Sequence, residues 1–334
     1  MIEINGGDGG GQVLRTALTL SCILQKPIRV VAIRSTRPKP GLQPQHLTCV
    51  NALKQICNAE VNGNKIGATE LEFKPSAIAS GKYNFDIGTA GAITLLAQCV
   101  LPVLLFGKKE SEVEFTGGTH VSFSPPADYF AQVFLSTISK MDADTEFSVQ
   151  RVGWFPVGGG KAKLIVKPSK LNGIEIKRSD MAPKVFVSSL FSKLPTHVGE
   201  RLASAAASEL KQFFPTVKAK EFPASCPGCC VFVNLNYSSC CAGFSSLGAI
   251  GKPAEKVGKE AAAKALEFHN SGASADERLA DQLLLYAALA KGETTFTTPE
   301  ITEHFKTNVE TIAKFLQRKV KIEKQNTNFA VSII

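Results

Sequence analysis

Apolar positions along the chain follow two periods. Ile2 and Ile4 flank Glu3, an alternation that predicts a short strand, and this strand runs into Asn5-Gly6-Gly7-Asp8-Gly9-Gly10-Gly11-Gln12. Val13, Leu14, Ala17, Leu18 and Cys22 then recur at helical spacing. Val113 and Phe115 alternate with acids in a second strand, Gly117-Gly118 opens a loop, and Pro125-Pro126-Ala127-Asp128 starts a helix that runs to about Met141. Thr294 to Thr297 reads as a third strand, with His304 in the loop after it. Thr307 and Glu310 form a capping box, so the next helix is expected just behind His304. The three stretches share one plan of strand, irregular loop and helix, and predict three copies of one α/β unit.

Other helices fit the same plan. Leu47, Val50, Leu53 and Cys57 mark one helical face, and Ser274-Ala275-Asp276-Glu277 is a capping box for a helix that ends before Gly292. Between them the pattern changes. A strand at Ile174–Lys177, a helix over 196–214, strands at 217–220 and 230–235 and a helix over 254–269 predict an inserted unit. The expected fold class is therefore α/β (α+β). Three repeated units over 1–173 and 273–334 form a large domain, and 174–272 form a smaller inserted α/β domain.

Composition narrows the function. The chain has 334 residues, 44% hydrophobic and 20% charged, which suits a folded core and argues against disorder. A net charge of +9 suits a polyanionic partner such as RNA. The longest apolar run, 92–106, is broken by Thr94, Gln98 and Pro102 and is shorter than the ~20 residues of a membrane span. Met1 leads straight into the first strand with no leader pattern, so a soluble, cytoplasmic protein is expected. Of nine cysteines, Cys22, Cys49, Cys57 and Cys99 sit among apolar residues and read as reduced core residues. Cys226, Cys229, Cys230, Cys240 and Cys241 cluster along the chain, which fits a zinc site, small core residues or a disulfide.

Candidate chemistry starts from what is missing. No Walker A loop is present, because Phe155 and Ala162 occupy two of its fixed positions in 153–162, and no G-x-G-x-x-G follows a strand. The N-terminal loop has five glycines in six positions ahead of a helix, a backbone cradle for phosphate, with Arg15 one turn further on. Arg34, Arg37 and Lys39 fall within six residues of a proline-stiffened loop that leads to Gln45 and His46. They fit phosphate recognition or a solvated loop. Gln98 lies in an apolar helix, where a buried amide needs a partner, either local backbone or a ligand. His304 stands by a helix N-terminus, whose field favours a neutral imidazole and stabilises phosphate, although a lone loop histidine is more often a surface residue. His46 and His120 lie in comparable loops, whereas His197 and His269 belong to the inserted region and read as structural or surface residues.

Together these residues resemble the RNA 3′-terminal phosphate cyclase family, over essentially the whole chain. The most specific piece is Arg151-Val152-Gly153-Trp154-Phe155-Pro156-Val157-Gly158-Gly159-Gly160, similar to the family's R-x-G-x-x-P-x-G-G-G signature. Gly9-Gly10-Gly11-Gln12, Lys39-Pro40-Gly41-Leu42, Gln45-His46-Leu47, Asp86-Ile87-Gly88-Thr89-Ala90-Gly91, Gly117-Gly118-Thr119, Gly251-Lys252-Pro253-Ala254-Glu255 and Leu279-Ala280-Asp281-Gln282-Leu283 support it. The resemblance implies that His304 becomes covalently linked to AMP and that Gln98, Arg278, Leu279, Ala280, Asp281 and Gln282 contact ATP. It also implies that the cationic segment with Arg34, Arg37, Lys39, Gln45 and His46 holds the RNA 3′-phosphate or the pyrophosphate of ATP, an anion that Arg15 is placed to reach as well.

A divalent metal (Mg2+ or Mn2+), a homodimer and a 2′,3′-cyclic phosphate product are further implications. Family members usually carry Glu in a longer first loop. This chain has Asp8 in a shorter one, which puts metal position and preference in question. Two other classes compete. One is a non-catalytic relative that acts as a binding module in ribosome assembly and lacks the nucleophilic histidine. The other is an enolpyruvyl transferase, also built of repeated α/β units, against which the signature speaks.

Overall fold

The computed structural model describes residues 1–7, 10–179 and 181–334. The first unit contains β1 (Ile2–Asn5), α1 (Gly10–Leu24), β2 (Ile28–Val31), α2 (Pro44–Ile56), β3 (Glu60–Asn62) and β4 (Leu71–Lys74). Its sheet runs β1-β2-β4-β3, with β1 parallel to β2 and the other pairs antiparallel. The second unit contains β5 (Lys82–Asp86), α3 (Ile93–Leu105), β6 (Ser111–Gly117) and a helical stretch of α4 (Ala127–Tyr129), a π turn (Phe130–Leu135) and α5 (Ser136–Ser139). It ends with β7 (Thr145–Arg151) and β8 (Gly160–Val166). Its order, β5-β6-β8-β7, and its strand directions repeat those of the first unit.

A further sheet follows, made from β9 (Lys184–Ser192), β10 (Thr216–Glu221), β11 (Gly228–Asn236) and β12 (Cys241–Leu247) in the order β10-β9-β11-β12. Two helices, α6 (Thr196–Glu209) and α7 (Ala254–Ser271), pack on each other and on this sheet. The third unit then resumes with α8 (Glu277–Leu289), β13 (Thr294–Thr298), α9 (Glu303–Ala313), β14 (Val320–Lys324) and β15 (Phe329–Ile333), in the sheet order β13-β15-β14. The α/β fold of repeated units with an inserted sheet and helices is the architecture expected.

Three expectations need correction. Residues 174–177 are not a strand of the inserted sheet. Glu175 bridges Thr295 in parallel, and the backbone N–H of Ile176 donates to Thr295 O at 2.8 Å, so this segment is the first strand of the third unit. The phase of the repeats also differs. In the first two units the order is strand, helix, strand, helix, strand, strand. The β6 and β13 stretches open the second half of a unit, whereas β1–α1 opens the first half. Their counterpart in unit one is β2–α2, masked in sequence because a long charged, proline-containing loop separates the two.

Finally, the cysteines do not gather. Cys230 pairs with Leu247 and Cys241 with Asn236, so the two groups sit at opposite ends of a hairpin, about 20 Å apart. All nine thiols are free, and among the described residues no three His, Cys, Asp or Glu side chains converge as a metal site. Among those residues, too, no helix is long and apolar enough to cross a membrane.

The helices of the three units form a common core. The Thr16 hydroxyl of α1 donates to Asn308 Oδ1 of α9 at 2.8 Å, and Asn308 Nδ2 donates to Asp281 O of α8 at 3.1 Å. Thr19 of α1 donates to Cys99 O of α3 at 2.9 Å. Each bond is buried or part-buried, where a satisfied polar pair fixes geometry that apolar packing alone leaves loose.

Candidate functional site

The N-terminal turns of five helices open onto one cleft of about 1020 Å³. It is lined by Gly10 and Gly11 of α1, Gln45 and His46 of α2, Ala92 at the cap of α3, Arg278 of α8 and His304 of α9. Helix N-termini present unpaired N–H groups and partial positive charge, so their convergence favours an anion. Side chains strengthen that field. Arg15, Arg34, Arg37, Lys264 and Arg278 line the cleft, and Asp281 is the one carboxylate lining it among the described residues.

His304 lies inside α9, not ahead of it. Thr302 caps the helix by accepting from the N–H of Phe305 at 2.9 Å, so the helix begins before the Thr307–Glu310 box. Thr307 instead donates back to Glu303 O at 3.0 Å. The imidazole is thus in the first helical turn and exposed toward the cleft. Burial, then Arg15 and Arg37, hold its pKa below the usual histidine value, which leaves the ring neutral at pH 7. The same Thr302 hydroxyl donates to Asp281 Oδ1 at 2.7 Å and ties α9 to α8. Burial pushes Asp281 up to about 7; the bond from Thr302 opposes this, and nearby Glu277, Asp276 and Glu300 add to it.

His46 is held more tightly. Its Nδ1 accepts from the backbone N–H of Gln43 at 3.2 Å, so the neutral ring carries its proton on Nε2. Burial, then Arg15 and Arg34, bring its pKa down to about 3. Gly11 is required opposite it. A Cβ there would lie 2.4 Å from His46 Nε2 and 2.9 Å from Arg15 Nη1, closing the gap between helix backbone and both donors. Arg34 staples its own loop by donating to Lys39 O at 2.6 Å and Gly41 O at 3.1 Å. Gln45 Oε1 accepts from the N–H of Ala92 at 3.0 Å and sets α2 against α3.

The helical period sorts the α8 residues. Arg278, Asp281 and Gln282 face the cleft with Leu285, whereas Leu279 and Ala280 turn into the core and do not line it. Lys39 also lies outside the lining, and its carbonyl serves Arg34. Asp8 falls outside the described residues. Gln98 lines the cleft, and its buried Nε2 has no hydrogen-bond partner among the described residues; the same holds for Gln282 Oε1 and Tyr286 OH. Three unsatisfied buried polar atoms thus belong to residues of one cavity wall.

Sequence reasoning missed Thr302, Lys264, Tyr286 and Asn308. Of these, only Thr302 had a usable signal, a threonine directly ahead of Glu303. His120 stays out of the cleft lining. Its Nε2 lies 2.6 Å from Asp128 Oδ2 and its ring packs against Trp154, a structural pairing behind the cleft wall.

The family signature itself is architectural. None of residues 151–160 lines the cleft. Arg151 Nε donates to Gly159 O at 2.7 Å, and a Cβ on Gly153 would sit 2.2 Å from Gly117 O and 2.6 Å from Gly160 N. These residues let β6, β7 and β8 cross at backbone contact.

Comparison with known proteins agrees in kind and extent. A family model described as RNA 3′-terminal phosphate cyclase matches residues 6–322. An RNA 3′-terminal phosphate cyclase from Gloeothece citriformis is 42% identical, over 94% of this chain and 93% of that one. One from Archaeoglobus fulgidus is 43% identical over 97% and 98%. An enolpyruvyl transferase from Streptomyces tendae superposes with a TM-score of 0.41 at 10% identity, over 98% of this chain and 47% of that one, too distant to bear on function. With a matched cyclase model spanning nearly the whole chain and relatives this similar from end to end, the chain belongs to the RNA 3′-terminal phosphate cyclase family, enzymes of the ligase class.

Proposed function

We propose that the cleft converts an RNA 3′-terminal phosphate to a 2′,3′-cyclic phosphate at the expense of ATP, with His304 as the covalent nucleophile. The observation that carries this reading is a neutral imidazole in the first turn of α9, set in a cleft lined by Arg15, Arg34, Arg37 and Arg278. A neutral ring nitrogen is nucleophilic, and the cations around it offset the charge of a triphosphate under attack.

Three transfers follow. A ring nitrogen of His304 attacks the α-phosphorus of ATP, the bond to the β-phosphate oxygen breaks and pyrophosphate leaves. An oxygen of the RNA 3′-phosphate then attacks the adenylyl phosphorus, the P–N bond breaks, and the end becomes RNA-(3′)pp(5′)A with a neutral histidine restored. Last, the 2′-hydroxyl attacks the RNA phosphorus, loses its proton and expels AMP. Oxide, which would otherwise have to leave, is thereby replaced by a good leaving group. The final step is intramolecular, so proximity lowers its barrier. The need for a 2′-hydroxyl makes RNA the substrate, and a site that reads a phosphate end has little use for base identity.

The remaining assignments follow from placement. His46 Nε2–H and Arg15 flank Gly11 and suit phosphate oxygens. Gln98 and Gln282, with their unpaired amide atoms, suit ATP. The divalent ion implied by the family resemblance would draw most of its ligands from the ATP phosphates and water, with Asp281 the one carboxylate of the cleft lining among the described residues and Asp8 outside them. The arginines of the lining offset phosphate charge through these transfers.

The test uses RNA with a radiolabelled 3′-phosphate. Incubation with protein and ATP should make the label resistant to phosphatase, and a 2′-deoxy end should stop at the adenylylated form. Protection without ATP, or binding with no protection at all, would favour a non-catalytic binding module instead.

A further inference from the structure

One cleft residue has no part in the chemistry above. Phe123 is fully exposed, yet it stands in the lining of the cleft, on the loop 121–124 between β6 and α4. Its φ of +62° places a bulky residue in the left-handed region, which such residues rarely adopt. The loop is held at both ends. Ser124 Oγ donates to Val121 O at 3.0 Å, Thr94 Oγ1 of α3 donates to Pro125 O at 2.8 Å, and the N–H of Ala127 donates to Thr119 O at 3.0 Å. Thr94 lies one turn before Gln98, so the anchor is the helix that carries the unpaired amide.

A single exposed phenylalanine needs no explanation by itself. Here the exposure, the unusual backbone and the pinned loop coincide at the mouth of a cationic cleft. The other aromatic rings of the lining, Phe134 and Tyr286, are buried and packed edge-on to each other with centroids 5.3 Å apart. Phe123 alone among them offers a free ring face to solvent.

We propose that Phe123 is the stacking platform for the base at the RNA 3′ end, an inference that rests on the RNA reading above. Phosphate contacts fix one point of a nucleotide and leave it free to turn about that point. Stacking the base on a ring fixes a second point, which holds the ribose and keeps the 2′-hydroxyl toward the phosphate. Every base has a π face, so such a platform tolerates any sequence, as an enzyme of RNA ends requires.

The test titrates wild type, Phe123→Ala and Phe123→Tyr with a short oligoribonucleotide that carries a 3′-phosphate and 2-aminopurine as its last base. Wild type and Phe123→Tyr should quench the probe. Phe123→Ala should not, and it should bind about tenfold more weakly with an unchanged melting temperature. Label transfer from α-³²P-ATP to the protein, which needs no RNA, should proceed equally in all three. Equal quenching and affinity in Phe123→Ala would overturn the proposal. So would slowed label transfer in that variant, which would assign the ring to the adenine of ATP. A wild type that quenches the probe but takes no label would keep the stacking and sink the adenylyl-transfer reading.

Discussion

The signature loop 151–160 and the cleft make opposite uses of sequence. The loop is the most specific stretch of the chain, yet none of its residues lines the cleft. Its glycines are there because backbone meets backbone, with Gly153 against Gly117 O and Gly160 N. The cleft is assembled from helix starts spread between Gly10 and His304, short stretches that lie far apart in sequence. A family can thus be recognised most sharply by what holds its fold together, while its chemistry is carried by residues that only the fold brings into one place.

Substitutions in the two regions should fail in different ways. The largest effect is expected in the loop. Gly153→Ala puts a Cβ 2.2 Å from a carbonyl oxygen that cannot move without breaking the β6–β8 ladder. It should cost about 3 kcal/mol of stability or more, visible as a lowered denaturation midpoint, with activity lost only in step with the folded fraction.

A cleft change of similar size should appear only through pH. Asp281 has its pKa raised to about 7 from 3.8, so the folded state holds a proton that the unfolded chain gives up near pH 4. Stability on that account is full below about pH 4 and falls as pH rises to 7, by up to about 4 kcal/mol. Asp281→Asn keeps an oxygen for the Thr302 hydroxyl and should flatten the fall, measured by denaturant unfolding at pH 4, 5.5 and 7. An unchanged slope would assign the titration elsewhere.

Gly11→Ala should do the reverse of Gly153→Ala. The new methyl meets the ends of His46 and Arg15, not fixed backbone, so the fold should survive while cyclisation falls about a hundredfold. If Gly11→Ala unfolds the protein, or leaves the rate intact, the division between the two regions does not hold.

Much of this plan was legible in the sequence because periodicity reports burial. The β1 and β6 strands and α1 followed from it, and the helix that carries Gln98 was read from its continuous apolar run. The start of α9 was misplaced because Thr307–Glu310 reads as a better box than Thr302, whose oxygen accepts from Phe305 N–H while its hydroxyl donates to Asp281 on another helix. The phase of the repeats was hidden because α2 enters through a loop of cations and prolines. Within α8, the family motif could not say that Leu279 and Ala280 point inward, whereas the helical period does. That Gln98 lacks a partner is a statement about every neighbour at once, and no single sequence contains it.

The central claim is that His304 takes AMP, and the most direct measurement is transfer of label from α-³²P-ATP to the protein, read on a denaturing gel beside His304→Ala. His304 is exposed, so the variant should fold as wild type does. The account predicts a labelled wild type, an unlabelled variant, and label released by acid but not by alkali, as befits a phosphoramidate. Equal label on both proteins would contradict it by placing the nucleophile elsewhere. An unlabelled wild type with ATP in excess would contradict it altogether.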